Sequence, residues 1–212
     1  MLCSIRPFIA YQSAALQKLG LQLFGNGLHQ CNQQMQRLSF EDALFFITQL
    51  VHTDLAIFQS QFEDPRHKEQ YQNLGDKLAH TVITFCTHHS HALTTHASPD
   101  IKTFMNNTFN HFNKDASKPR SNPKAAAFLY PFMTLSFLNN QKKEITPTYC
   151  QKRLSSLTAQ LKHLNNPTDT QLDVYQTLAL SLLKRVNMRS APSLKQPFTR
   201  LFQLLIQKTP SP

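Results

Sequence analysis

At five places where a helix can follow, this chain sets a good helix-capping residue directly before proline: Asp64-Pro65, Ser98-Pro99, Asn122-Pro123, Thr146-Pro147 and Asn166-Pro167. At the first helical position a proline loses nothing. Its missing N–H would have no intrahelical acceptor there, and its fixed φ suits the opening turn. Ser39-Phe40-Glu41-Asp42 adds a start of capping-box type, and Ser193-Leu194-Lys195-Gln196 fits that motif more fully. No stretch alternates apolar and polar residues between turn signals, so strands are not expected. The punctuation predicts an all-α protein, an irregular multi-helix bundle of about seven to nine helices in one domain or two helical subdomains.

The expected helices run 8–24, 28–37 (weakly marked), 40–62, 65–96, 99–112, 123–139, 147–164, 168–188 and 194–207. Cys150, Leu154, Leu157, Leu161 and Leu164 recur at helical spacing and form one core seam. Leu172, Tyr175, Ala179, Leu182, Leu183 and Val186 form a second, and Leu194, Phe198, Leu201 and Leu205 a third. AAAFLYPFMTLSFL, residues 125–138, is apolar almost all round. It is too short and too interrupted by proline to span a bilayer, which needs about 20 apolar residues. A helix apolar on every side belongs at the centre of a bundle, so it is expected to be the hub for the other C-terminal helices. The proline starts have a hairpin-like rhythm, but the motifs between them do not repeat, which argues against a solenoid.

NKDASKPRSNP, beginning at Asn113, is the one linker-like stretch. The expected organisation is a near-neutral helical half (1–112), a linker loop (113–122) and a basic helical half (123–212). Charge changes across it. Residues 1–100 hold six Lys/Arg against eight Asp/Glu, and residues 101–212 hold sixteen against four.

Only four glycines occur in 212 residues, and Gly20, Gly25 and Gly27 lie in LGLQLFGNG, which contains no phosphate-binding fingerprint. Loops that cradle phosphate need glycine so that backbone N–H groups can approach the ligand. Nucleotide chemistry by those routes is excluded, and no cofactor is expected. Cys3, Cys31, Cys86 and Cys150 are far apart, and the N-terminus lacks the apolar core of a signal peptide. A cytoplasmic protein is expected, with export lacking a cleaved N-terminal signal as the alternative.

CTHHSHALTTHA, residues 86–97, carries four histidines. On a helix His80, His88 and His91 fall opposite the stripe Ala79, Val82, Cys86 and Leu93, with His89 and His96 near its edge. His88 and His91 can both reach one metal ion. The third candidate, His80, lies about 12 Å along the axis from His88. Zinc usually needs three or four protein ligands, so a solvated polar face is the simpler reading. Ten histidines do allow the formal charge of +10 to rise steeply on acidification.

Cys150 stands near a helix start beside Lys152 and Arg153, features that lower a thiol pKa. Yet it also begins a core seam, and Cys86 occupies another, so both are expected to pack rather than react. Glu41-Asp42 and Glu63-Asp64 sit where the helix dipole favours negative charge. No catalytic constellation is visible, and an enzyme would need a site assembled only in the fold.

The basic half carries the functional signal. Lys114, Lys118, Arg120 and Lys124 surround the linker, Lys142 and Lys143 follow the hub, and Lys152, Arg153 and Lys162 share a helix. Lys184, Arg185 and Arg189 end another helix, and Arg200 and Lys208 belong to the last. Such a surplus attracts polyanions. Nucleic acid is one reading, although the cations are scattered and no binding motif is present. Peripheral membrane contact through LKQPFTRLFQLLIQK is another. A protein partner with an acidic or amphipathic segment needs the fewest unseen features. Lys142, Lys143, Lys152, Arg153, Lys184, Arg185 and Arg189 are the expected partner-binding residues of such a non-enzymatic adaptor. In its Gln/Asn/His-rich, glycine-poor, tryptophan-free composition the chain resembles small helical accessory proteins of bacterial secretion systems and translocated effectors. That resemblance implies an interaction role.

Overall fold

A computed structural model describes residues 14–59, 68–113, 122–141, 144–164 and 166–209. Among the described residues there are nine α-helices and no strand. They are α1 Ala14–Gln34, α2 Phe40–Gln59, α3 Lys68–His88, α4 Ser90–Thr95 and α5 Pro99–Phe112. α6 Pro123–Asn139, α7 Pro147–His163, α8 Asp169–Arg185 and α9 Lys195–Lys208 follow. The protein is all-α. The expected helix starts at residues 8 and 65, the end at 62 and most of the 113–122 loop lie outside the described residues.

Two compact units are present, one drawn from Met1–His89 and Asn110–Asn122, the other from Ser90–Phe109 and Pro123–Pro212. In the first, α1 and α2 both pack on α3. Ala43, Ile47, Leu50 and Val51 of α2 are buried, as are Leu74, Leu78, Val82, Phe85 and Cys86 of α3 and Leu21, Phe24 and Leu28 of α1. One buried polar pair belongs to this core. His111 Nε2 lies 2.7 Å from an Asp54 carboxylate oxygen, and both side chains are inaccessible to solvent.

Two helix boundaries differ from expectation in this unit. Separate helices over 8–24 and 28–37 are not found, because α1 runs unbroken through Gly25-Asn26-Gly27. No glycine takes a positive φ. A Cβ on Gly25 would come within 3.2 Å of Leu74 Cδ2. This glycine therefore allows α1 to approach α3 closely; it does not turn the chain. The single helix expected over 65–96 is also interrupted, since α3 ends at His88 and α4 begins at Ser90. At the break the His89 ring lies against Phe40 and Phe85, with ring centroids 5.6 and 5.2 Å apart. From Ser90 to Phe109 the chain packs in the other unit, and Asn110–Asn122 returns to the first.

In the second unit α6 is the hub that its composition predicts. Nearly every residue from Ala125 to Leu138 is buried, and α4, α7 and α8 pack around it. Its Thr and Ser hydroxyls are satisfied within the helix: Thr134 Oγ1 donates to the Tyr130 carbonyl and Ser136 Oγ to that of Met133. The Tyr130 hydroxyl donates to the Arg153 carbonyl of α7. Pro131 lies inside the helix and has no N–H, so the Ala127 carbonyl four residues earlier loses its helical donor. Tyr175 of α8, itself buried, donates its hydroxyl to that carbonyl at 2.6 Å. The amides of Asn139 and Asn140 donate to the carbonyls of Thr94 and Ser98, tying the end of α6 to the α4–α5 junction.

The three seams are buried as their spacing predicts, save for the half-buried Leu183. The third, on α9, faces chiefly α7 and α8. Thr146 caps α7, accepting from the Tyr149 N–H, with Pro147 following as expected. α8 starts at Asp169, one residue from expectation, but Asn166 is not its cap. Asn166 takes a left-handed φ of 52° and the capping box is formed by Thr168 and Gln171. Ser193 makes no box either, because Pro192–Leu194 is a 3-10 turn and Leu194 occupies the cap position of α9.

Candidate functional site

One helix face of α5 presents Lys102, Thr103, Asn106 and Asn107, one turn apart in pairs. Met133, Thr134 and Phe137 of α6 and Tyr149 and Arg153 of α7 close the other sides of a pocket of about 330 Å³, all within the second unit. Tyr149 and Arg153 are i and i+4 on α7, which places them on one face.

The pocket has a built electrostatic character. Lys102 Nζ stands 5.3 Å from the centre of the Phe137 ring, and the Arg153 guanidinium 4.9 Å from that of Tyr149. The two rings stack on each other at 6.0 Å with 27° between their planes. Cation–π contacts of this kind contribute about 0.5–2 kcal/mol each, depending on desolvation. Arg153 Nε and the Tyr149 hydroxyl are shielded from solvent, and the guanidinium lies within hydrogen-bonding reach of the Tyr130 and Tyr149 phenols. Burial pushes the Tyr149 phenol above its ordinary range, against the opposing charge of Arg153, so at neutral pH it is a neutral donor. The lining holds two cations, amides and hydroxyls, and no carboxylate.

The other expected partner-binding residues are distributed differently. Lys142 and Lys143 lie outside the described residues, and Lys152, Lys184 and Arg189 are exposed. Arg185 is half-buried, its Nη1 donating to the Gln141 carbonyl at 2.7 Å while its own carbonyl accepts from the Ile145 N–H. The fold thus joins Arg185 to the segment entering α7 and places Arg153 in the pocket. Lys102, Phe137, Tyr149 and the two asparagines were not singled out from the sequence. The Tyr149–Arg153 spacing was a readable signal, whereas the α5 contribution depends on tertiary packing.

His80, His88, His91 and His96 are exposed. His89 is half-buried and its Nε2 has no hydrogen-bond partner. Burial lowers its pKa, the neighbouring His88 charge lowers it further, and Glu41 opposes both. Among the described residues no three His, Cys, Asp or Glu side chains are grouped to hold a metal ion. Cys86 and Cys150 are buried. Burial raises both thiols, that of Cys150 to about 11, so its place near a helix start does not yield a thiolate. Among the described residues no helix is long and apolar enough to cross a membrane.

Compared with protein families, with curated proteins and with solved structures, the chain matches none.

Proposed function

We propose that this chain is a non-enzymatic helical interaction protein whose basic C-terminal unit receives an acidic or amphipathic segment of a protein partner. The observation that carries this reading is the α5–α6–α7 pocket, where Lys102 and Arg153 are held on aromatic faces with no carboxylate in the lining. Cations, amides and hydroxyls are the groups that bind anions, and this lining supplies all three. The exposed Lys152, Lys184 and Arg189 would add a cationic surface that steers an acidic partner. Phe128, Phe132 and Phe198 are buried in the core of the same unit, and the half-buried Phe137 and Tyr149 rings of the pocket already stack on each other. An adaptor of this kind, working in the cytoplasm or as a translocated effector, agrees with the compositional resemblance to secretion-system accessory proteins.

The test uses a labelled amphipathic peptide rich in Glu and Leu, with single-stranded DNA as competitor. Changing Lys152, Lys184 and Arg189 to Glu should weaken peptide binding at least tenfold while the far-UV circular dichroism and Tm stay unchanged. Undiminished peptide binding by this variant, or DNA binding that outcompetes the peptide at 150 mM salt, would replace the reading.

A further inference from the structure

We propose that the pocket between α5, α6 and α7 is a carboxylate-binding site, in which the Arg153 fork and the Tyr149 hydroxyl take the carboxylate and Lys102 supplies the second positive charge. The proposal rests on the reading of this unit as a receptor for an acidic segment, and it names the group that is anchored and where.

Size comes first. About 330 Å³ is at the small end of ligand pockets, suited to an acidic side chain or a short organic acid. Charge comes second. Lys102 and Arg153 enter the same cavity from α5 and α7, and no lining carboxylate neutralises them. An anion entering the pocket therefore meets cations with no internal competitor.

Preorganisation is the third argument. Lys102 rests on Phe137 and Arg153 on Tyr149, and the two rings stack on each other. Long cationic side chains held in this way lose less freedom when a ligand arrives. The phenols around Arg153 are the fourth. The Tyr130 and Tyr149 phenols lie beside the half-buried Arg153 guanidinium and hydrogen-bond to it, so their acceptor capacity is already engaged and the cation is held charged at the pocket wall.

Carboxylate is favoured over phosphate by what surrounds these groups. The planar guanidinium matches two coplanar oxygens. Phosphate sites commonly recruit free backbone N–H groups at a helix start. The start of α7 is near, but the Tyr149 N–H already donates to Thr146 Oγ1 at 3.2 Å. The pocket's remaining polar groups, Thr103, Asn106 and Asn107, come from the body of α5. Such side chains can orient the stem that carries the carboxylate.

The experiment titrates the full chain, followed by amide NMR, with four probes. They are an amphipathic peptide bearing a single central Glu, the same peptide with Gln there, glutarate, and inorganic phosphate. The Glu peptide is expected to bind at least tenfold more tightly than the Gln peptide and to shift signals of residues 102–107 and 149–153. Arg153→Lys keeps the charge but loses the fork, and should forfeit most of that preference. Lys102→Gln, at an exposed position on α5, should reduce it less and tests the site should Arg153 variants unfold.

If glutarate binds here and the peptides do not, the carboxylate site stands and the protein-receptor reading falls. If the Glu peptide binds but neither Arg153→Lys nor Lys102→Gln changes its affinity, the receptor reading stands and this site falls. Equal binding of the Glu and Gln peptides, or tighter binding of phosphate than of either carboxylate, overturns the proposal.

Discussion

In the middle of α6, Pro131 leaves the Ala127 carbonyl without its helical donor, and the Tyr175 hydroxyl takes that place from another helix. Removing the hydroxyl should cost more than an ordinary hydrogen bond, because the carbonyl is then stranded in the core. Tyr175→Phe is expected to lower stability by about 1–3 kcal/mol. In a Pro131→Ala background the restored N–H serves the carbonyl, so the same change should cost less than half as much. Urea unfolding of the four-member cycle decides it, and equal costs in both backgrounds would mean the hydroxyl does not stand in for the missing N–H. His89 supplies a second prediction at this scale. Its pKa is lowered in the folded chain, chiefly by burial against Phe40 and Phe85. The unfolded chain therefore binds its proton first, and stability falls as pH drops from about 7 through the ordinary histidine range toward the lowered folded pKa. His89→Phe keeps the ring packing and removes the titration. Its Tm relative to the parent should rise between pH 7 and pH 5, as read by thermal melts at both values. Little of this was legible in the sequence. The Tyr175 seam gave the side chain's burial, but its hydroxyl's partner lies 48 residues away.

Among the elements, those opened by a cap and a proline were the most readable. α5, α6 and α7 begin at Pro99, Pro123 and Pro147, where local chemistry alone dictates the start. The same signal named the wrong cap for α8, because Asn166 can take a left-handed φ and Thr168 with Gln171 makes a better box two residues on. α1 was misread for a different reason. Glycine weakens a helix locally, and only the neighbouring helix shows that Gly25 is there to let α3 approach. The pocket follows the same division. Tyr149 and Arg153 share one helix and a readable spacing, while Lys102 and Phe137 join them only through packing. Two substitutions in α1 separate the roles of its glycines. Gly25→Leu should destabilise by about 1–3 kcal/mol through overpacking against Leu74. Gly27→Ala should stabilise by roughly 0.5–1 kcal/mol, the ordinary gain of replacing glycine inside a helix. Guanidinium melts of the two variants measure both, and a stabilising Gly25→Leu would deny that close approach is what this glycine provides.

For the whole molecule, charge follows the division into units. The second unit holds thirteen Lys/Arg against four Asp/Glu, and the first nine against eight. Of the formal +10, all but one charge thus belongs to the unit that contains the pocket. Exposed cations and pocket cations should act on different steps of binding. Charges in open solvent attract an acidic partner over a distance set by the Debye length, about 10 Å at 0.1 M salt and 3 Å at 1 M. They speed encounter and hold the bound state only weakly. A half-buried guanidinium acts after docking and governs escape. Reversing Lys152, Lys184 and Arg189 to Glu should therefore slow association with an acidic peptide about tenfold at low salt, and the deficit should nearly vanish at 1 M. Arg153→Gln should leave association almost unchanged and speed dissociation at least as much. Stopped-flow association and displacement experiments at both salt concentrations separate the two. If Arg153→Gln alters association while the triple reversal alters dissociation, the roles assigned to surface and pocket are reversed. If neither alters either rate, the partner is not recognised by this unit's charge.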